Sequence, residues 1–356
     1  MKKFIVLLIL PFVLLTSCSK PINTEKNKPD STKIESHVTD KNISHSVKDY
    51  YPFKENIKMK YKGTGNEFAE KTMYTDYIKG DRIQLRIVNP GTTSAQILEN
   101  KDGELRLITS KGEFYYRDDI TDSKNDKYEI LLKEPLAKGT SWTLANGSKR
   151  YISDVDKEIE TPAGKFKALE VTTESAESKT LDYYVLNMGL VKTVFKSKDA
   201  EVITTLENVE ENAPVHQTVK FYYPDYVEDK IIFVKRQLDF KTNDDLKNLL
   251  ENNFKEVPNK DISHIFSKNV KINKVYLDDK SNTVKIDISD NFVKEMNAGG
   301  GLESAILKCI TNTLGDYYNV DKVSITLNGK SYASGHIILN ENETLKVDYN
   351  GISEYK

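Results

Sequence analysis

Short runs of alternating apolar and polar residues, separated by turn residues, fill residues 49–209. In one such run Ile83, Leu85 and Ile87 alternate with polar side chains, which is the period-two pattern of a strand with one buried face. Asn146-Gly147 lies between two further runs, and this dipeptide favours the type I′ turn of a tight hairpin. Residues 49–209 are therefore predicted to form an all-β antiparallel domain, either a sandwich or a partly rolled sheet.

Residues 210–216 are an acidic stretch with a proline, which we interpret as a linker. The pattern of apolar residues changes after it. Strand-like runs then alternate with two helical apolar stripes, and Asp244 and Asp245 precede the first stripe, where acidic residues favour a helix start. We predict an α+β domain over residues 217–350, with two helices packed on a sheet. A length of 356 residues also favours two domains.

The first 18 residues have the layout of a lipoprotein signal peptide. Lys2 and Lys3 precede an apolar run that is too short to cross a bilayer. Ser17 then precedes Cys18, and residues 15–18 resemble the lipobox that lipoprotein signal peptidase cleaves. A cysteine is needed there because its sulfur receives the lipid. We expect residues 1–17 to be removed between Ser17 and Cys18; an ordinary secretory signal with an incidental cysteine is the alternative.

Residues 18–48 are predicted to be a lipidated flexible tether, because they are polar, contain two prolines and lack apolar periodicity. Two acyl chains, such as palmitate, hold a protein stably at a membrane, whereas one does so only reversibly. The membrane is therefore the first expected partner. The predicted location is the outer face of the cytoplasmic membrane, in a Gram-positive organism.

Charge and cysteine content exclude two further features. The chain has 52 Lys and Arg against 54 Asp and Glu, mixed along the sequence without a basic block, so nucleic acid is not expected as a partner. With Cys18 committed to lipid, Cys309 has no cysteine left to pair with. Cys309 falls on the apolar stripe of the second predicted helix, so we interpret it as a core residue.

No arrangement of residues in the sequence indicates catalysis or metal binding. The five histidines are isolated from other ligands at metal-binding spacing, and no nucleophile elbow, P-loop or zinc-protease motif occurs. The glycines at 299–301 could bind an anion at a helix start, but a flexible connection is the favoured interpretation. Asp287 and Asp290 could form an acid–base pair, although a solvated strand face and a turn explain them better. We expect a non-enzyme with no cofactor and no metal.

Several segments of the second half carry a family resemblance, in the order 219–225, 283–292, 299–301, 311–314, 320–323 and 328–329. Together they resemble the GerMN domain of sporulation and spore germination proteins, over residues 217–348. Residues 252–269 depart from the pattern, because they lack a Gly-rich turn. We identify no family resemblance for residues 49–209.

The resemblance implies a module similar to the ring-building domains of secretion systems, used for assembly at the envelope, without catalytic residues. The leading hypothesis is a non-enzymatic assembly or adaptor lipoprotein of sporulation or germination. Envelope or sporulation proteins are its expected partners, and peptidoglycan is a further candidate. An interface is expected on the polar face of the sheet, at Lys285, Asp287 and Lys322 or at the sheet edge.

A ligand- or glycan-binding lipoprotein that uses the β domain is the alternative hypothesis. A cavity inside that domain, lined by converging Tyr, Arg and Asp side chains, would favour it. A cell-wall hydrolase ranks lower, because the sequence lacks paired catalytic groups.

Overall fold

The computed structural model describes residues 45–355. The predicted signal peptide, the cleavage site at Ser17 and Cys18, and residues 18–44 of the predicted tether lie outside this range. The end of the predicted tether overlaps the first helix, α1 (Val47–Tyr50). None of the helices in the described range is long and apolar enough to cross a membrane.

Twelve antiparallel strands form one sheet, here called the rolled sheet. In chain order they are β1 (Lys58–Thr64), β2 (Lys71–Lys79), β3 (Arg82–Val88), β4 (Thr93–Lys101), β5 (Glu104–Lys111), β6 (Glu129–Lys133), β7 (Ser141–Thr143), β8 (Lys149–Thr161), β9 (Gly164–Glu174), β10 (Ser178–Val185), β11 (Gly189–Ser197) and β12 (Glu201–Glu210). Consecutive strands pair, except that β1 pairs with β12 at the centre and β6 and β7 form the two edges.

The two edges of this sheet meet, which is why it is a roll and not a two-sheet sandwich. Trp142 on β7 donates its Nε1–H to the carbonyl of Ile130 on β6 at 3.0 Å. Arg150 on β8 donates to the same carbonyl at 2.7 Å and pairs with Glu129 at 2.8 Å. Apolar side chains from both halves of the roll pack together inside it. The predicted all-β domain is confirmed in its rolled form.

The hairpin predicted at Asn146-Gly147 joins β7 to β8, but its turn differs from the predicted type. Gly147 has a positive φ of 84° and Asn146 does not, whereas a type I′ turn requires both. The amide of Leu144 donates to the carbonyl of Ser148 at 2.9 Å, so the loop holds three residues. A three-residue loop places its glycine in the left-handed conformation and needs no positive φ before it.

Helix α1 and the residue after it cap one end of the roll. The amide of Val47 donates to Glu134 Oε1 at 2.8 Å, and the amide of Asn187 donates to the carbonyl of Asp49 at 2.7 Å. Val47 and Tyr51 are buried in the inner apolar cluster. Residues 47 and 48, which were predicted to belong to the flexible tether, are therefore part of the folded domain.

The rest of the chain, residues 215–355, is called the α+β half. Its elements are β13 (Val215–Asp225), β14 (Lys230–Phe240), α2 (Leu246–Lys255), β15 (Ile272–Asp278), β16 (Thr283–Ile288), α3 (Asn291–Met296), α4 (Gly300–Tyr318), β17 (Lys322–Leu327), β18 (Lys330–Ser331), β19 (Leu345–Lys346) and β20 (Ser353–Glu354). The predicted fold class is confirmed, and the strands divide between two sheets. One is β13-β14-β20; the other is β15-β16-β17, with β18 and β19 both paired to β17.

Helices α2 and α4 bury the stripes that the sequence predicts. Asp245 caps α2, because its carboxylate accepts the amide of Lys247 at 3.0 Å. Helix α4 packs against β13 on one side and against β16 and β17 on another. Cys309 on α4 is a free, buried cysteine, which confirms its prediction as a core residue.

Candidate interaction surface

One face of the five-stranded sheet is buried and the other is open. Val284, Ile286 and Ile288 of β16 point into the core, while Lys285 and Asp287 between them stay partly exposed. Residues directly opposite each other on paired strands share a face. The open face, defined by this pairing and by alternation along each strand, consists of Lys274, Tyr276, Asp278, Lys285, Asp287, Lys322, Ser324, Thr326 and Lys346.

All three residues predicted as an interface lie on the open face, but their surroundings differ. Lys285 is about half exposed and pairs with Asp278 at 3.0 Å; the hydrogen bond from this pairing raises the pKa of Lys285. Lys322 is exposed at the start of β17. Both ammonium groups are therefore available to a partner.

Asp287 has a structural role and is not available to a partner in the same way. Its carboxylate accepts hydrogen bonds from Thr326 Oγ1 and the Gly329 amide, both at 2.6 Å, and from Asn273 Nδ2 at 2.8 Å. Burial alone would raise the pKa of Asp287, but these hydrogen bonds outweigh it and lower the pKa. The carboxylate holds β15, β16 and the turn after β17 together.

The charge of the open face opposes that of the half to which it belongs. Residues 215–355 contain 18 Lys and Arg and 21 Asp and Glu, a net charge of -3. The open face carries four lysines against two aspartates, and Asp287 is already hydrogen-bonded within the sheet. The remainder of the half has 14 Lys and Arg against 19 Asp and Glu, so it is acidic, whereas the open face has an excess of lysines.

The other candidate residues are dispersed. Asp290 pairs with Lys294 at 2.5 Å, and its partners are separate from those of Asp287, so the two do not form an acid–base pair. Gly300 is the first residue of α4 and Gly299 its N-cap. Within residues 45–355, no group of three or more His, Cys, Asp or Glu residues is placed to hold a metal ion.

A buried charge cluster, here called the junction, joins the α+β half to the outer face of the rolled sheet. Asp76 contacts the guanidinium groups of Arg86 and Arg117, each at 2.9 Å, and all three side chains are almost fully buried. Arg117 also donates to the carbonyls of Lys241 and Asp244 at 2.8 and 3.1 Å. Because Arg117 belongs to the rolled sheet's β5–β6 connection, these bonds fix the two halves to each other.

A second contact fixes β15, one of the strands that form the open face. Asp118 accepts hydrogen bonds from the Tyr318 hydroxyl at 2.7 Å and from the Leu277 amide on β15 at 3.1 Å. Burial raises the pKa of Asp118 to about 6, although both hydrogen bonds act against the rise. A cleft of about 540 Å³ lies here, lined by Asp118 and by Lys274 and Tyr276 of the open face.

Sequence reasoning missed the junction. Gln84 and Arg86 alternate with the apolar residues of β3, a pattern that predicts a polar, solvated face. They are instead buried, at 0 % and 2 % exposure, because the β5–β6 connection and the α+β half cover that face. An alternating pattern shows which residues share a face but not what covers it, and we find no sequence signal that would have identified Asp76.

Comparisons with known proteins assign part of the chain. Residues 220–333 match the Germane family, described as sporulation and spore germination. No curated protein matches the chain. One similar solved structure is a protein from Bacteroides fragilis, described as exported and as having a YmcC-like fold. It is 11% identical to this chain, the match covers 45% of this chain and 98% of that protein, and the TM-score is 0.29.

Two further solved structures are similarly distant. A protein described as a lipoprotein from Parabacteroides distasonis is 18% identical over 45% of this chain and 98% of its own, with a TM-score of 0.28. The tandem GerMN domains of the sporulation protein GerM from Bacillus subtilis are 16% identical over 36% of this chain and 46% of that one, also with a TM-score of 0.28. The family match is the finding that assigns a domain, and it confirms the resemblance: the C-terminal half of this chain is GerMN-like.

Proposed function

We propose that this chain is a lipid-anchored, non-enzymatic adaptor that presents its GerMN-like domain outside the cytoplasmic membrane during sporulation or spore germination. The lipobox resemblance at Cys18 supports the anchor, and the family match supports the process. The observation that carries the adaptor role is the open face, which stays uncovered although the junction buries other surfaces of the α+β half.

Two properties make the open face suited to recognition. Its lysines are partly or fully exposed at defined positions on paired strands, so they form a fixed charge pattern. Ser324 and Thr326 are small, so the centre of the face can approach another surface closely. Exposed charges of this kind govern association rate and specificity more than fold stability. The proposed partner is therefore a protein of the envelope or of the sporulation machinery with an acidic surface.

Charge reversal tests the proposal. In the double variant Lys285→Glu/Lys322→Glu we expect the free energy of unfolding to change by less than about 1 kcal/mol, since both side chains are exposed. Membrane association should be unchanged, whereas Cys18→Ala should release the protein or leave it unprocessed. We expect heat-resistant spore yield or germination rate to fall in the double variant.

A matched control reverses two exposed lysines of the rolled sheet, Lys62→Glu/Lys165→Glu. It changes net charge by the same amount and should behave as wild type. Normal sporulation and germination with Lys285 and Lys322 both reversed would remove the open face as the working surface. Recovery of peptidoglycan fragments as the sole crosslinked partner would point to the cell wall in place of a protein.

A further inference from the structure

β15 is an edge strand of the five-stranded sheet, and part of its backbone has no partner. The amide of Leu277 donates to Asp118 at 3.1 Å, away from β16. In an antiparallel pair, alternate residues direct both of their backbone groups to the same side, so the N–H and C=O of Val275 also point away from β16. Among residues 45–355 we find no hydrogen-bond partner for either group of Val275.

Hydrogen bonds close this edge at both ends. At the start of β15, the amide of Ile272 donates to Glu251 of α2 at 3.1 Å. Near its end, Asp118 occupies the amide of Leu277. Five residues of extended chain span about 16 Å, so the stretch between these two bonds has the length of an extended segment of a few residues.

The cleft of about 540 Å³ lies along this stretch of β15. β15 contributes residues 274–277 to its wall, the rolled sheet and its β5–β6 connection contribute residues 77–79 and 117–120, and the start of α2 contributes Leu246. Its volume is that of a site for a small ligand. Because Arg117 binds the α+β half to the rolled sheet, the walls of the cleft are fixed relative to each other.

Most charged side chains that line the cleft are already paired. The pairs are Lys79 with Asp119, Arg117 with Asp76, and Asp245 with Lys247.

Two charged groups of the cleft have no ion-pair partner among the described residues. One is Lys274, an exposed residue whose ammonium lies 4.3 Å from the centre of the Tyr276 ring. The other is Asp118, whose carboxylate already accepts two hydrogen bonds. Lys274 precedes Leu277 by three residues, or about 10 Å of strand, so a carboxylate that binds Lys274 stays clear of Asp118. The group available to a charged ligand is therefore Lys274.

We propose that the cleft binds an extended, acidic peptide segment of a partner protein, which pairs with the backbone of Val275 and contacts Lys274 through a carboxylate. In this mode of recognition the main-chain hydrogen bonds of the added strand give affinity, and its side chains give specificity. The ammonium of Lys274 selects an acidic segment over a basic one. Lys274 and Tyr276 also belong to the open face, but binding in the cleft does not require the rest of that face.

Fluorescence polarisation of the full chain with labelled, end-blocked pentapeptide pools tests the proposal. The first pool has Glu at its central position and mixed residues elsewhere, and the second has Lys at that position. The third is the Glu pool with every backbone amide N-methylated, which removes the donors that an added strand needs. We expect saturable binding of the Glu pool and at least tenfold weaker binding of the other two.

Two variants locate the binding. Lys274→Glu should weaken binding of the Glu pool at least tenfold and strengthen binding of the Lys pool. Val275→Pro removes the free amide at a strand edge, where proline is tolerated, and should also weaken binding of the Glu pool. Lys62→Glu, which reverses an exposed lysine of β1, is the matched control and should bind as wild type.

If Val275→Pro does not fold, the N-methylated pool tests the same hydrogen bonds from the side of the peptide. The proposal is overturned if the Glu pool does not bind saturably, if the Lys pool or the N-methylated pool binds as tightly, or if Lys274→Glu keeps the preference for Glu. These outcomes are separate from the test of the open face, because Lys285 and Lys322 do not line the cleft.

Discussion

The rolled sheet contains two buried charge clusters that differ in how their charges are compensated. On the outer face, one carboxylate, Asp76, contacts both Arg86 and Arg117, and backbone carbonyls accept further guanidinium N–H groups. On the inner face, Lys71 on β2 and Asp182 on β10 have no ion-pair partner among the described residues, and burial lowers the pKa of Lys71 and raises the pKa of Asp182. The first cluster has its donors directed at protein acceptors, whereas the charges of the second have no counter-charge in contact.

This difference separates charges that stabilise the fold from charges that cost stability. Burying charge is costly unless each group is paired and hydrogen-bonded. In the junction every charge is paired, and only Asp76 Oδ2 contacts its partner Arg86 without an aligned hydrogen bond. The junction joins the two halves, which fixes the orientation of the GerMN-like domain. The inner charges of Lys71 and Asp182, here called the inner pair, do not meet this condition, so they cost stability. The predictions below test that distinction.

The largest expected effect comes from removing the shared carboxylate. Asp76→Ala leaves two buried guanidinium groups without a counter-charge, so we expect the free energy of unfolding to fall by about 3–5 kcal/mol. Asp156→Ala is the control, since Asp156 pairs with Lys167 at the surface and such pairs contribute about 0–1 kcal/mol. Urea denaturation measures both. Equal effects in the two variants would mean that the junction is not a stabilising cluster.

Asp118 gives a smaller, pH-dependent effect. Its pKa is about 6 in the folded protein against an ordinary value of 3.8, so the folded state binds the proton more tightly. Its contribution to stability is complete below pH 4 and is lost as pH rises through 6, by about 3 kcal/mol at about 1.4 kcal/mol per pH unit. Asp118→Asn should abolish this decline in urea denaturation measured from pH 4 to 7.5. An unchanged slope in the variant would assign the decline to other groups.

The inner pair should show the smallest change in stability, and of the opposite sign. In Lys71→Met/Asp182→Leu we expect the free energy of unfolding to be unchanged or higher, because two poorly compensated buried charges are replaced by apolar groups. The same urea denaturation measures it at pH 7. A loss of more than about 2 kcal/mol would show that the pair stabilises the sheet, and the contrast with the junction would fail.

Local features of the fold could be predicted from the sequence, and long-range ones could not. Alternation at 83–87 predicted a strand, and the acidic residues before Leu246 predicted a helix start. The pairing of β1 with β12 joins residues far apart in the chain, and so does the closure of the roll by β6 and β7 at Trp142. No local sequence pattern predicts such long-range contacts.

The same limit applies to the sites. Lys285 and Lys322 could be predicted to share a face, because they lie on strands whose alternation is clear. Asp76 and Arg117 could not be recognised, because each gains its role only when the β5–β6 connection and the α+β half cover one face of the sheet. Asp287 looked equivalent to Lys285 in the sequence, but its contacts give it a structural role.

The central claim is that the open face of the GerMN-like domain contacts a partner protein, and site-specific photo-crosslinking in sporulating cells tests it most directly. A photoreactive amino acid is placed at Lys285 or Lys322, and at the exposed Lys62 of the rolled sheet as the control. The account predicts a discrete protein adduct from 285 and 322 and none from 62. Adducts from 62 alone, or none from the open face in cells that sporulate and germinate normally, would contradict it.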